Sequence, residues 1–156
     1  MTASVWRIAV EAPAYSANDV SGAGAARSGG RWNSRRTAMV YCSSSIALAM
    51  LETLGFARTA ALPLNRFLVR IDIPDLVWSR REVLAPPPGG WDAVPAGRAS
   101  MAAGDAWASS RRSALLLVPS VIVPEEFNVL LNPGHADAVA IVATTVRRWA
   151  YDARCV

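Results

Sequence analysis

The stretch Met39-Val40-Tyr41-Cys42-Ser43-Ser44-Ser45-Ile46-Ala47-Leu48-Ala49-Met50-Leu51-Glu52-Thr53-Leu54-Gly55 changes character at its serines. Met39 to Cys42 reads as a short strand. The serine hydroxyls suit the free N–H groups of a helix start and the glycine suits its stop, so a helix is expected from about Ser45 to Leu54. Ile46 to Leu51 point apolar side chains in nearly every direction, which predicts burial on most sides. Glu52 is the only charged residue of this helix and shares a face with Ser45, Leu48 and Ala49.

Outward from this strand–helix unit, Val5 to Val10 alternates as an opening strand, with Trp6, Ile8 and Val10 on one face and Arg7 on the other. A loop rich in small residues is expected from Glu11 to Gly30. Its Gly22-Ala23-Gly24-Ala25-Ala26-Arg27 falls short of a dinucleotide fingerprint, because arginine replaces the third glycine and no strand leads into it. Downstream, Phe67 to Ile73 alternates cleanly, with Phe67, Val69, Ile71 and Ile73 inward and Pro74 as its end. Pro86-Pro87-Pro88-Gly89-Gly90 interrupts the chain without dividing it into domains. A second helix is expected over Ala99 to Ser109, then short strands over Ala114–Val118, Val121–Val123 and Phe127–Leu131, a turn at Asn132-Pro133-Gly134, and two closing strands over Ala138–Thr145 and Arg147–Ala153. This pattern is α+β, with short and mostly antiparallel strands flanked by helices.

Composition narrows the chemistry. The 156 residues are 53% hydrophobic and 18% charged, enough for one domain with a sizeable core. No apolar run is long enough to span a membrane and no signal-peptide pattern opens the chain, so a cytoplasmic location is expected. Cys42 and Cys155 form no CxxC pair and are expected to be free thiols. All sixteen cationic side chains are arginine, which removes Walker-type phosphate loops and Schiff-base chemistry, both of which need lysine. With His135 the only histidine, multi-imidazole zinc sites and HExxH proteases are also excluded, and no metal is expected. No GxSxG elbow accompanies that histidine. Arginine usage fits a genomic bias, yet the formal charge of +4 and a pI near 9.8 suit an anionic partner.

Val5-Trp6-Arg7-Ile8, Gly30-Arg31-Trp32-Asn33, Val40-Tyr41, the helix with Ala49 and Glu52, and Phe67 to Pro74 occur in that order, followed by Gly104-Asp105-Ala106-Trp107, Val118 to Pro124, Asn128 to His135 and Trp149 to Arg154. Together they resemble the RES-domain family, the toxin half of bacterial RES/Xre toxin–antitoxin pairs, over nearly the whole of residues 1–156. The resemblance implies an ADP-ribosyltransferase-like fold and an enzyme that takes NAD+ as substrate, breaks its nicotinamide–ribose bond and passes the ADP-ribosyl group to water, phosphate or a protein. It places the family's catalytic positions on Arg31, Tyr41, Glu52 and Ser120, with Arg31, Tyr41 and Ser120 also contacting the dinucleotide. It further implies an Xre-type helix-turn-helix antitoxin that blocks the active site, DNA contact only through that antitoxin, and no membrane partner; homodimerisation is left open. Gly134, where a less flexible residue is usual, and the lack of lysine are its departures.

The residues suit those roles. Scission builds positive charge on the ribose, which a fixed carboxylate such as Glu52 opposes; an ordinary solvent-facing glutamate is the alternative. Arg31 follows two glycines and suits a bidentate grip on a diphosphate, aided by the field of Arg35 and Arg36; the alternative is a surface ion pair. Tyr41 suits stacking on nicotinamide with its hydroxyl on offer, against half-buried packing. Ser120, behind Pro119, suits a ribose or amide contact, against a local turn bond. Arg7 is unassigned, and His135 reads as a structural turn residue. Bulk NAD+ cleavage onto water or phosphate ranks first and a mono-ADP-ribosyltransferase acting on a protein second. An arginine-rich nucleic-acid-binding module is the rival of another class, with its pairs Arg35-Arg36, Arg80-Arg81, Arg111-Arg112 and Arg147-Arg148 dispersed and no recognition motif beside them.

Overall fold

The computed structural model describes residues 2–57 and 64–155. Among these residues seven strands form one sheet: β1 (Thr2–Val10), β2 (Val40–Ser43), β3 (Arg66–Pro74), β4 (Glu82–Val83), β5 (Leu115–Pro119), β6 (Phe127–Leu131) and β7 (Val142–Arg148). The helices are α1 (Ala23–Ser28), α2 (Ile46–Ala57), α3 (Asp75–Ser79) and α4 (Arg98–Ser110). The strand order is β4-β5-β6-β2-β1-β3-β7, and only β4–β5 is parallel, so the α+β expectation holds.

Two-residue alternation divides the sheet's side chains between two cores. On one face Val5, Ala9, Val40, Cys42, Val69, Ile71, Ile73, Val129 and Leu131 pack together, with Val77 of α3. The other face carries two patches. Ile8 and Leu68 meet Ala49 of α2, while Leu116, Val118 and Leu130 meet Trp107 of α4 and Trp32. The α4 patch depends on Gly104, where a Cβ would collide with the Trp32 carbonyl.

β1 and β2 meet over the shortest register in the sheet. β1 pairs with β3 over nine residues, from Thr2↔Pro74 to Val10↔Arg66, and β2 pairs with β6 from Val40↔Leu131 to Ser43↔Asn128. Between β1 and β2 the register holds at Trp6↔Ser43 alone. Beyond that pair, Arg7 to Val10 and Val40 to Cys42 leave their facing edges unpaired, so the sheet forks.

Several sequence expectations are corrected. The segment Glu11 to Gly30, expected as a loop, contains α1, and the short elements α3 and β4 carry no periodicity that would reveal them. Helix α2 passes Gly55 and ends at Ala57, because a glycine costs only about 1 kcal/mol inside a helix that buries Leu48 and Ala49. Its burial is one-sided, with Ala47 exposed. Val121 to Val123 is a turn, since the Ser120 hydroxyl accepts the N–H groups of Ile122 and Val123, each at 3.1 Å. The two closing strands are one: Ala136–Ala140 is a 3-10 turn, β7 ends at Arg148, and Ala153–Cys155 is another 3-10 turn.

Candidate active site

The fork opens into a cavity of about 850 Å³, lined by Trp6 to Val10 from β1, by Met39, Tyr41, Cys42 and Ser43 from β2 and its approach, and by Glu52 and Thr53 from α2. The segment from Gly22 through α1 to Arg31 forms a further wall. This volume lies within the range of sites that enclose a small-molecule or cofactor ligand.

Glu52 is half-buried on the cavity wall, and its Oε1 is doubly held. The Ser120 hydroxyl donates to it at 2.6 Å and Asn128 Nδ2 at 2.7 Å. Asn128 is oriented in turn by the Ser43 hydroxyl, which donates to Asn128 Oδ1 at 2.8 Å. Oε2 has no hydrogen bond among the described residues. A carboxylate with one oxygen clamped and the other open is pre-oriented to oppose positive charge developing in the cavity. Ser120 itself is fully buried and does not line the cavity, so its hydroxyl reaches the site through Glu52.

Tyr41 lines the cavity with its ring, while its hydroxyl is engaged elsewhere. It donates to Asn33 Oδ1 at 2.7 Å and accepts the Trp32 N–H at 2.9 Å. Burial, the largest influence, pushes its phenol above the ordinary range, so it remains protonated at neutral pH. Asn33 completes the lock by donating to the carbonyls of Ala25, Ser34 and Thr37. Gly30 is required there, because a Cβ would lie 2.7 Å from the Tyr41 hydroxyl.

Arg31 also lines the cavity. Its Nη1 donates to the carbonyls of Trp91 and Ala93, both at 2.8 Å, which ties the segment after the proline cluster to the cavity rim. Trp32 beside it stacks on Trp91 with ring centroids 6.3 Å apart. Nε and Nη2 have no hydrogen bond among the described residues. Arg35 and Arg36 lie outside the cavity lining. His135 Nδ1 accepts the Asp137 N–H at 3.0 Å and caps a turn away from the cavity. Burial pushes the Cys42 thiol up to about 12 against the opposing pull of Arg7. No group of three His, Cys, Asp or Glu capable of holding a metal occurs among the described residues.

Thus Arg31, Tyr41 and Glu52 share one cavity, and Ser120 stands behind Glu52. The sequence reading missed Asn128 as a site residue. Its signal was a polar side chain on the same strand face as Leu130, within an otherwise apolar strand.

The chain is similar to known proteins over nearly its whole length. A model of the RES domain matches residues 4–153. A Sphingobium protein named Prs ADP-ribosylating toxin is 56% identical, the match covering 100% of this chain and 98% of the relative. A Yersinia enterocolitica protein named Toxin Res is 42% identical over 78% of this chain and 79% of its own. The fold is similar to a chain of the M. tuberculosis MbcT–MbcA toxin–antitoxin complex, with a TM-score of 0.62 and 18% identity, covering 94% of this chain and 85% of that one. A chain whose whole length carries the RES pattern, and whose relatives carry toxin names at such identity, belongs to the RES-domain toxin family.

Proposed function

We propose that the protein is an NAD+-consuming toxin that cleaves the nicotinamide–ribose bond in the forked cavity. The observation that carries this reading is the Glu52 carboxylate, held on one oxygen by Ser120 and Asn128 and open on the other. In the reaction the ribose C1′–nitrogen bond breaks and its electron pair returns to the pyridine ring, releasing neutral nicotinamide. Glu52 opposes the positive charge left on the ribose. Ser120 and Asn128 are positioning residues for Glu52, Tyr41 holds the Gly30–Asn33 loop and presents its ring, and Arg31 fixes the rim and offers its free donors to the substrate.

The acceptor completes the reaction by attacking C1′. A protein acceptor is favoured over water and phosphate by the ADP-ribosylating name of the relative that is 56% identical over the whole chain. An antitoxin partner is supported by the toxin–antitoxin complex that contains the similar fold, and an Xre-type antitoxin that blocks the cavity by the family resemblance. The nucleic-acid reading is disfavoured because five of the eight paired arginines are used locally. Arg80 and Arg112 bond to Asp137 and Glu82, while Arg81, Arg147 and Arg148 stack on Trp78, Trp149 and Phe67.

Purified protein incubated with NAD+ is expected to release nicotinamide, measured by chromatography, and Glu52→Gln to lower the rate by at least about a hundredfold while the fold persists. Mass spectrometry of the products assigns the acceptor: labelled protein for transfer, free ADP-ribose for hydrolysis, ADP-ribose 1″-phosphate for phosphorolysis. No release with water, phosphate or cell protein as acceptor overturns the proposal.

A further inference from the structure

Besides Arg31 and the exposed Arg27, two arginines of the cavity lining take no part in holding or orienting Glu52 or Tyr41. They are Arg7, on β1, and Arg66, the first residue of β3. The Nε atom of each is buried and has no hydrogen-bond partner. Among the described residues neither side chain enters a salt bridge or hydrogen bond. Burying a cationic donor without a partner is costly, and folded proteins pair such groups unless a ligand supplies the counter-charge.

Neither carboxylate of the cavity lining, Asp19 or Glu52, bonds to either guanidinium. Asp19 Oδ1 and Oδ2 accept from the Ser21 N–H and hydroxyl, and Glu52 accepts from Ser120 and Asn128. Cys42, close enough to feel Arg7, stays a neutral thiol because burial holds it up to about 12. The lining contains Arg7, Arg27, Arg31 and Arg66 against Asp19 and Glu52, an excess of two positive charges. The register Arg7↔Val69 and Val10↔Arg66 puts Arg7 and Arg66 on opposite faces of the β1–β3 ribbon. They therefore approach the cavity from either side of the unpaired β1 edge.

We infer that Arg7 and Arg66 form a diphosphate subsite, one guanidinium for each phosphoryl group. This rests on the cavity being the NAD+ site, and assigns the diphosphate to the fork. The family resemblance instead gives that grip to Arg31, whose Nη1 is spent on the Trp91 and Ala93 carbonyls. A diphosphate carries the two negative charges that the lining lacks, and each unpartnered Nε–H belongs to a planar fork that matches phosphate oxygens.

Calorimetry with inorganic pyrophosphate tests the subsite independently of turnover. Wild-type protein is expected to bind pyrophosphate, Arg66→Gln and Arg7→Gln to bind it at least about tenfold more weakly, and the exposed Arg154→Gln to bind as wild type. Arg66→Lys, which keeps the charge and loses the fork, is expected to fall between. Thermal unfolding checks that each variant is folded. In the nicotinamide-release assay Arg66→Gln is expected to act on KM for NAD+ more than on kcat. Undiminished pyrophosphate binding by folded Arg66→Gln and Arg7→Gln overturns the inference, as does absence of binding by wild type. Orthophosphate binding as tight as pyrophosphate overturns it too, and marks an acceptor phosphate site instead. Pyrophosphate binding that depends on both arginines, in a protein that releases no nicotinamide, supports the subsite while the proposed activity fails.

Discussion

At the scale of single residues, the site rests on a relay of short hydrogen bonds ending at Glu52. Ser120→Ala removes one donor to Oε1 and Asn128→Ala the other, and each is expected to cost about 10- to 100-fold in nicotinamide release. The double variant should approach Glu52→Gln, since all three changes act on one carboxylate. If both single variants keep wild-type kcat, the carboxylate does not depend on this clamp. Cys42 supplies a pH prediction. An unfolded thiol titrates near about 8.5, whereas the folded one holds its proton up to about 12. Between those values the unfolded chain gives up its proton first, so this group contributes fully below about pH 8.5 and its contribution declines as pH rises. Urea unfolding from about pH 8 to 10.5 is expected to show a shallower loss of stability in Cys42→Ala than in wild type. Glu52, Arg31 and Tyr41 were legible as candidates because the RES-family resemblance singles them out; a lone charge on an apolar helix, a glycine pair and a strand end suit those roles without naming them. Asn128 was not, because it meets Glu52 across 76 residues of sequence and only through the pairing of β6 with β2.

Among the elements, α4 and the Arg31 loop show how packing sets a boundary condition for the site. Gly104→Ala forces a Cβ against the Trp32 carbonyl, which lies on rigid backbone, so α4 or the loop has to shift. We expect a loss of about 1–3 kcal/mol in unfolding free energy, measured by urea titration, together with reduced nicotinamide release as Arg31 and the Tyr41 lock are displaced. Leu130→Ala, in β6 and fully buried, is expected to cost about 2–5 kcal/mol. Two-residue alternation made β1 and β3 legible, and β6 showed as a short apolar run before the turn at Asn132-Pro133-Gly134. The same kind of run misled at Val121 to Val123, where three β-formers between Pro119 and Pro124 look like a strand and the Ser120 hydroxyl captures their N–H groups instead. A side chain competing with the sheet for backbone donors leaves no trace in an apolar pattern.

For the whole molecule, strand order and the fork lay beyond the sequence reading. Neighbours in the sheet such as β2 and β6 are separated by several intervening elements, and alternation within a strand says nothing about which strand comes next. The net charge was legible, and its placement was not. With two excess positive charges in the cavity, kcat/KM for NAD+ is expected to fall several-fold between about 0.05 and 0.5 M salt. A salt-independent value would mean that the cavity's field does not help gather the substrate.

The single registered pair at Trp6↔Ser43 sets stability and function in competition for the same backbone. Zipping the remaining rungs between Arg7–Val10 and Val40–Cys42 would satisfy two bare edges and toughen the protein, yet it would erase the chamber that lies between them. Selection for heat resistance alone should therefore enrich variants that seal the sheet and are harmless to their host.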